Sequence, residues 1–424
     1  MKQFQKEFDA FLEHFSEENP ALRDLRLKAF NKFKEIGFPN KKWEEWQFTD
    51  FSLIKNSNFR LSWNSELSTI PKNIPGRIQN TYLILIVNGH YQPRLSHLPN
   101  EVSVEEGIKY FKSNPEVYSI DNSSNPFLSL NTSMMNSALP IYIKNNIIIK
   151  KPLQVIHLTT DLSDKLMNHP RFNFHIGENS EATIIEHYIG STSTSYFTNT
   201  VSKINLEKNA RLNHIRLQEE DRASNHIADT SYTLDRESQL EATSISSGSK
   251  LFRHNIKLSL NNEGASARIN GLSLTMKNQH HDQHIVVDHA SDSCQSHQLF
   301  KYILSDRSSG VFNGKVIVRK KTKQTNADQS NKNLLLSPNA LMNSNPQLEI
   351  YADDVKCSHG STTGQIDSEA LFYLRSRGIS KQKAMELIVS GFAKDIIDHI
   401  KNIDIKSYVS NHAFTWLEGS MKNV

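Results

Sequence analysis

Cysteine is almost missing: Cys294 and Cys357 are the only two in 424 residues. That is too few for a disulfide framework or an all-cysteine metal site within one chain. Any metal or cluster chemistry therefore needs histidine, carboxylate or a second subunit. No window approaches the roughly 18 consecutive apolar residues of a membrane span, so no membrane partner is expected. The first thirty residues carry acids and lack an apolar signal core or small-residue cleavage site. Neither secretion nor a transit peptide is indicated, and the cytoplasmic compartment is the default. Long basic runs are absent too. The net charge of +4 is the small difference between 49 basic and 45 acidic residues, which gives little ground for nucleic acid as a partner.

Several catalytic signatures are also missing. Gly314 and Lys315 are followed by Val316 rather than Ser or Thr, and no complete phosphate loop, dinucleotide turn or G-x-S-x-G elbow occurs. Asp353 and Asp354 are adjacent, so on a strand they point to opposite faces and cannot act on one bond. The chain is not expected to be an enzyme in isolation.

What is present divides in three: a helical region over 1–78, a β region over 79–364 and a helical tail over 365–424. Phe4, Phe8, Phe11, Leu12 and Phe15 fall at helical spacing over 2–16. Asn19 and Pro20 cap a second helix, whose stripe runs from Leu22 to Ile36 before Gly37. Trp43, Trp46 and Phe48 follow in KKWEEWQFTD. They read first as packing and only second as a binding surface.

From about Thr81 the pattern turns to strands. TYLILIVNGHY reads as a strand and turn, NPFLSLNTSMMNSA (125–138) as helix, and IYIKNNIIIK (141–150) as two short strands around asparagines. Glu178, Glu207, Glu237 and Glu263, spaced 29, 30 and 26 residues apart, each introduce a small or polar residue and then an alternating strand. Such a soft repeat, with only 16 glycines, favours an irregular β-solenoid. A sandwich or double-stranded jelly roll stays open.

In QHHDQHIVVDHASDSCQSH (279–297), His284 and Asp288 share a strand face and could hold a metal, against solvated strand histidines as the simpler reading. Cys294 reads as a small buried residue. A basic segment and an asparagine and glutamine ladder follow between 319 and 347. Leu348, Ile350 and Ala352 alternate with polar residues into Val355, Cys357 and His359, and Gly360 to Gly364 read as the turn that ends the strand. Asp367 caps a helix closed by Gly378, and a second helix starts at Ser380 with Ala384, Leu387, Ile388, Gly391 and Phe392 on one face.

The runs VFNGKVIV, QTNADQSNKNLLLS and NPQLEIYADDVKCSHGSTTGQIDSEALFYLRSRGIS resemble the SufB/SufD family of iron-sulfur cluster assembly proteins. DHASDSCQSHQLFKYIL, NPFLSLN and FPNKKWEEWQFT extend the likeness over nearly the whole chain. The CSHG form and modest length place it on the side of the family that pairs with SufB. The resemblance implies a right-handed parallel β-helix flanked by helical parts, a SufB-like subunit as partner, and a SufC-like ATPase docked on the C-terminal helices through Leu371, Phe372, Leu374, Arg375, Leu387 and Phe392. It implies His359, with Cys357 beside it, as candidate ligands for iron or a transient iron-sulfur cluster at the partner interface, and no cofactor in the isolated chain. Removing the tail after Gly364 is expected to abolish ATPase binding and leave β content intact. A homodimeric scaffold without a cluster and a carbohydrate-active β-helix enzyme are the alternatives.

Overall fold

The computed structural model describes residues 1–62, 73–105, 125–135, 137–160, 165–191 and 194–421. Its N-terminal part holds α1 (Lys2–His14), α2 (Pro20–Ile36), the single turn α3 (Ser52–Lys55) and strand β1 (Arg60–Leu61). Asn19 accepts from the Ala21 N–H and Pro20 opens α2, as its sequence predicts. Strands β2 (Tyr82–Val87), β3 (His90–Tyr91) and β4 (Val102–Val104), helix α4 (Pro126–Met134), and strands β5 (Ser137–Ile143), β6 (Leu153–Thr159) and β7 (Leu166–Asn168) lead inward. Asn88 and Gly89, both at positive φ, turn β2 into antiparallel β3. The second of the two strands expected in 141–150 is reduced to one bridge from Ile148 to Glu181.

The rest of the β region winds as a parallel solenoid of about seven turns. Its strands are β8 (Pro170–Ile176), β9 (Glu181–Gly190), β10 (Phe197–Leu206), β11 (Arg211–Glu219), β12 (Asn225–Leu234), β13 (Gln239–Ser246) and β14 (Leu251–Leu260). They continue as β15 (Ser266–Thr275), β16 (His280–His289), β17 (Gln295–Leu304), β18 (Ser309–Val318), β19 (Thr325–Leu335), β20 (Leu341–Ile350) and β21 (Val355–Gln365). Even-numbered strands from β8 to β20 stack in one sheet and odd-numbered strands from β9 to β21 in the other. The soft repeat is the corner between the sheets. Asn179, Asn209, Glu237, Gly264 and Ser293 each take positive φ there, one per turn. Asn209 donates to Asn179 (3.0 Å), and Asn179 to Asn146 (3.0 Å). Asparagine tolerates this backbone because its short amide bonds locally.

The interior holds Ile184, Leu212, Ile269, Phe300, Phe312 and their neighbours. Outside, the aromatic face of α1 and α2 packs with α4, Met167, Phe197, Ile227 and Leu251 on the even-numbered sheet. Trp46 belongs to this layer, 4% exposed, with the Arg253 guanidinium 3.7 Å above its ring. Asp282 pairs with Arg253 and accepts from Thr49 Oγ1 at 2.5 Å. The WEEWQFT stretch is thus a clasp on the solenoid, with Phe48 left exposed.

The odd-numbered sheet is covered by the tail helices α6 (Lys381–Ile397) and α7 (Ile403–Met421), preceded by α5 (Ser368–Ser376). Ile215, Leu217, Ile245, Leu272, Leu274 and Ile303 meet Met385, Val389, Ile396, Val409, Trp416 and Leu417. The sequence places Leu387 and Gly391 on the packed face of α6. The structure buries Ala384, as expected, but with it Met385, Val389, Ala393, Ile396 and Ile397, and leaves Leu387 and Gly391 outside, because the face that meets the odd-numbered sheet is turned towards Met385 and Val389.

Three of the five histidines of 279–297 are not solvated, as a half-exposed strand would leave them, while His280 and His297 are half-buried. His281, His284 and His289 are buried. Burial disfavours the imidazolium, holding His157, His169, His281 and His284 down to about 3 and His289 to about 4. The unfolded chain takes up these protons near pH 6.5, where the folded chain refuses them. Stability is therefore intact above that pH and falls as pH drops towards 4, by about 1.4 kcal/mol per unit for each histidine. Urea titrations should give a midpoint far lower at pH 5 than at pH 7.5; a flat profile would contradict the burial.

Candidate functional site at the open end of the solenoid

One end of the solenoid is closed by antiparallel strands, β4 against β5 and β3 against β2. At the other end the sheets finish on β20 and β21, which pair inward only. Cys357 and His359 lie on that last turn. Gly360 to Gly364 do not form the expected turn: β21 runs on through them to Gln365, in register with β19 throughout. A neighbouring strand supplies the hydrogen-bond ladder, and this tertiary pairing overrides the turn preference of glycine and small hydroxyls. Cys357 and His359 therefore sit within a strand, not at its end.

Alternation puts Cys357, His359, Ser361 and Thr363 on one face, in register with Ala327, Gln329, Asn331 and Asn333, all four buried. Cys357 packs against the interior cluster. Ser358 points the other way and donates to Asp328 at 2.6 Å. Ser344 of β20 bridges the sheets, 2.7 Å from Ser361 and 2.8 Å from Asn331 Oδ1. The floor of the opening is thus polar, made from the asparagine and glutamine ladder noticed in the sequence. His359 is exposed and Cys357 half-buried. Burial pushes the Cys357 thiol up, partly opposed by a backbone hydrogen bond from Ala327. Two residues on one strand face stand about 7 Å apart along the backbone. Imidazole and thiolate both suit iron.

The other proposed pair does not form a site. Asp288 is held by Arg319 through two hydrogen bonds of 2.8 and 2.7 Å. Among the described residues no three His, Cys, Asp or Glu side chains converge on a metal position. Cys294 is buried, as expected.

Beyond the opening, Asp367 caps α5 by accepting from Glu369 N–H, and Gly378 follows at positive φ. No residue of α5 is buried. Phe372 is 74% exposed and Arg375 is also exposed, while Leu371 and Leu374 are half-buried. Leu387 lies on the rim of a cleft of about 470 Å³ between α6 and α7, with Phe414 and Leu417. Phe392 is half-buried, its ring 4.4 Å from the Lys301 ammonium, and so serves the solenoid. Among the described residues no helix is long and apolar enough to cross a membrane.

The described residues thus form a solenoid with an open last turn beside a helix that nothing covers. Residues 157–392 match the family described as SUF system FeS cluster assembly, SufBD core domain, and residues 1–155 the SufBD protein N-terminal region. The chain belongs to the SufBD family. It is 34% identical over 376 residues to the iron-sulfur cluster assembly protein SufD of Escherichia coli, covering 88% of each chain. It is 31% identical over 407 residues to a SufBD family protein of Synechocystis, covering 90% of this chain and 88% of that one. It is 23% identical over 416 residues to SufD of Bacillus subtilis, covering 92% and 93%. It is a SufD-type protein of iron-sulfur cluster assembly.

Proposed function

We propose that this chain is the scaffold subunit of a SufBCD-type complex, pairing through its open end with a SufB-like subunit. The observation that carries this is the pair of sheet edges at that end, ten residues of β20 and eleven of β21, unpaired among the described residues. Long parallel edges with free backbone groups are templates for another chain. A partner settling there closes over His359 and Cys357, which then contribute to a site for iron or a nascent cluster whose remaining ligands come from the partner. Mixing the chain with a SufB-like subunit and measuring assembly mass tests the pairing. A 1:1 heterodimer is expected; a homodimer that resists the added subunit would overturn it.

The SufC-like ATPase docks on α5 and the adjoining rim of α6, through Phe372, Arg375 and Leu387, with Leu371 and Leu374 behind them. A large aromatic side chain held in water gains about 2–3 kcal/mol on burial. Phe372→Asp should therefore weaken ATPase binding by roughly a hundredfold in calorimetric titration, with the thermal midpoint unchanged. Undiminished binding would move the dock elsewhere.

A further inference from the structure

β17, β19 and β21 place Gln298, Gln329 and His359 in one register row. Both glutamines are 1% exposed. Gln329 Nε2 donates to Gln298 Oε1 at 3.2 Å, while Gln329 Oε1 is buried without a partner. The facing wall is shaped around this amide. Gly314 lies opposite, and a Cβ there would come within 2.1 Å of Gln329 Nε2, so the carboxamide fills the space a side chain would take. One acceptor is thus left over on a locked side chain, one strand spacing, about 4.8 Å, below His359.

We propose that Gln329 is a positioning residue for His359. Its carboxamide oxygen accepts the N–H of one imidazole nitrogen and so presents the other to iron or a nascent cluster. A metal-bound histidine nearly always donates its second ring N–H, and that bond fixes tautomer and ring orientation. The inference rests on the reading of His359 as a ligand and adds the group that aims it.

The test uses the assembly reconstituted with a SufB-like subunit and SufC-like ATPase, without oxygen, titrated with Co²⁺ alone and followed by its visible absorption. His359→Ala should remove the histidine-dependent binding. Gln329→Leu should weaken Co²⁺ binding about 10- to 100-fold and change the band shape, with assembly mass unchanged and the thermal midpoint lowered by the acceptor it strands on Gln298. Gln329→Glu restores an acceptor and should recover the affinity, because the Gln298 Nε2, also without a partner, can turn towards the new carboxylate. Gln329→Asn keeps a buried amide, protecting the fold, yet withdraws the acceptor by one carbon, and should bind as weakly as the Leu variant. If the Leu and Asn variants bind within about twofold of the unmodified assembly while His359→Ala does not, Gln329 only packs and the inference fails. Unchanged binding by His359→Ala would instead remove the ligand reading itself.

Discussion

A chain ending at Gln365 should fail to stay soluble and folded. The tail helices are the cover of the odd-numbered sheet: Ile215, Leu217, Ile245, Leu272, Leu274 and Ile303 reach burial against α6 and α7. At about 1.5–3 kcal/mol for each large aliphatic side chain returned to water, the loss is on the order of 10 kcal/mol. That matches the whole stability of many domains. The sequence reading expected the opposite, β content intact, because helices after a strand region read as a separable unit. Expression of the truncated chain followed by light scattering and circular dichroism decides it; a monodisperse, β-rich product would show that the sheet does not need its cover. ATPase docking must therefore be probed by point changes on α5, not by deletion.

His359→Ala should lower cluster formation by the full assembly about tenfold or more, while folding and partner binding stay near normal. The side chain is exposed and makes no part of the core, so its removal costs within about 0.5 kcal/mol. One imidazole is one ligand where iron-sulfur centres usually take four, and losing it from a shared site is felt only once the site is assembled. Cys357→Ser should do less. Its thiol is half-buried and pushed up in pKa, so thiolate is scarce at neutral pH unless a bound metal displaces the proton. The readout is the growth of the cluster's charge-transfer absorption; an unmodified rate in the His359→Ala assembly would leave this chain a purely structural subunit.

Much of this architecture was legible because its signals are local. Period-two alternation marked the strands, Asn19 and Asp367 announced their helices, and the spacing of Glu178, Glu207 and Glu237 gave the length of chain in one solenoid turn. What stayed hidden depends on contacts distant in sequence. Nothing in GSTTG says that β19 will hold it extended. Nothing around Met385 and Val389 says which face a sheet will choose. The histidine run read as solvated, yet His284 is buried beside Asp282 of its own strand and Arg253 of the neighbouring β14, under a cover that the run itself does not announce. At the site, His359 and Cys357 came from a family likeness, whereas the positioning role proposed for Gln329 needed the register row and the missing side chain at Gly314.

The two ends of the solenoid differ in how their strands finish. Among the described residues antiparallel strands cover one end, so under the pairing proposed above strand-to-strand stacking is confined to the other, where the long parallel edges lie.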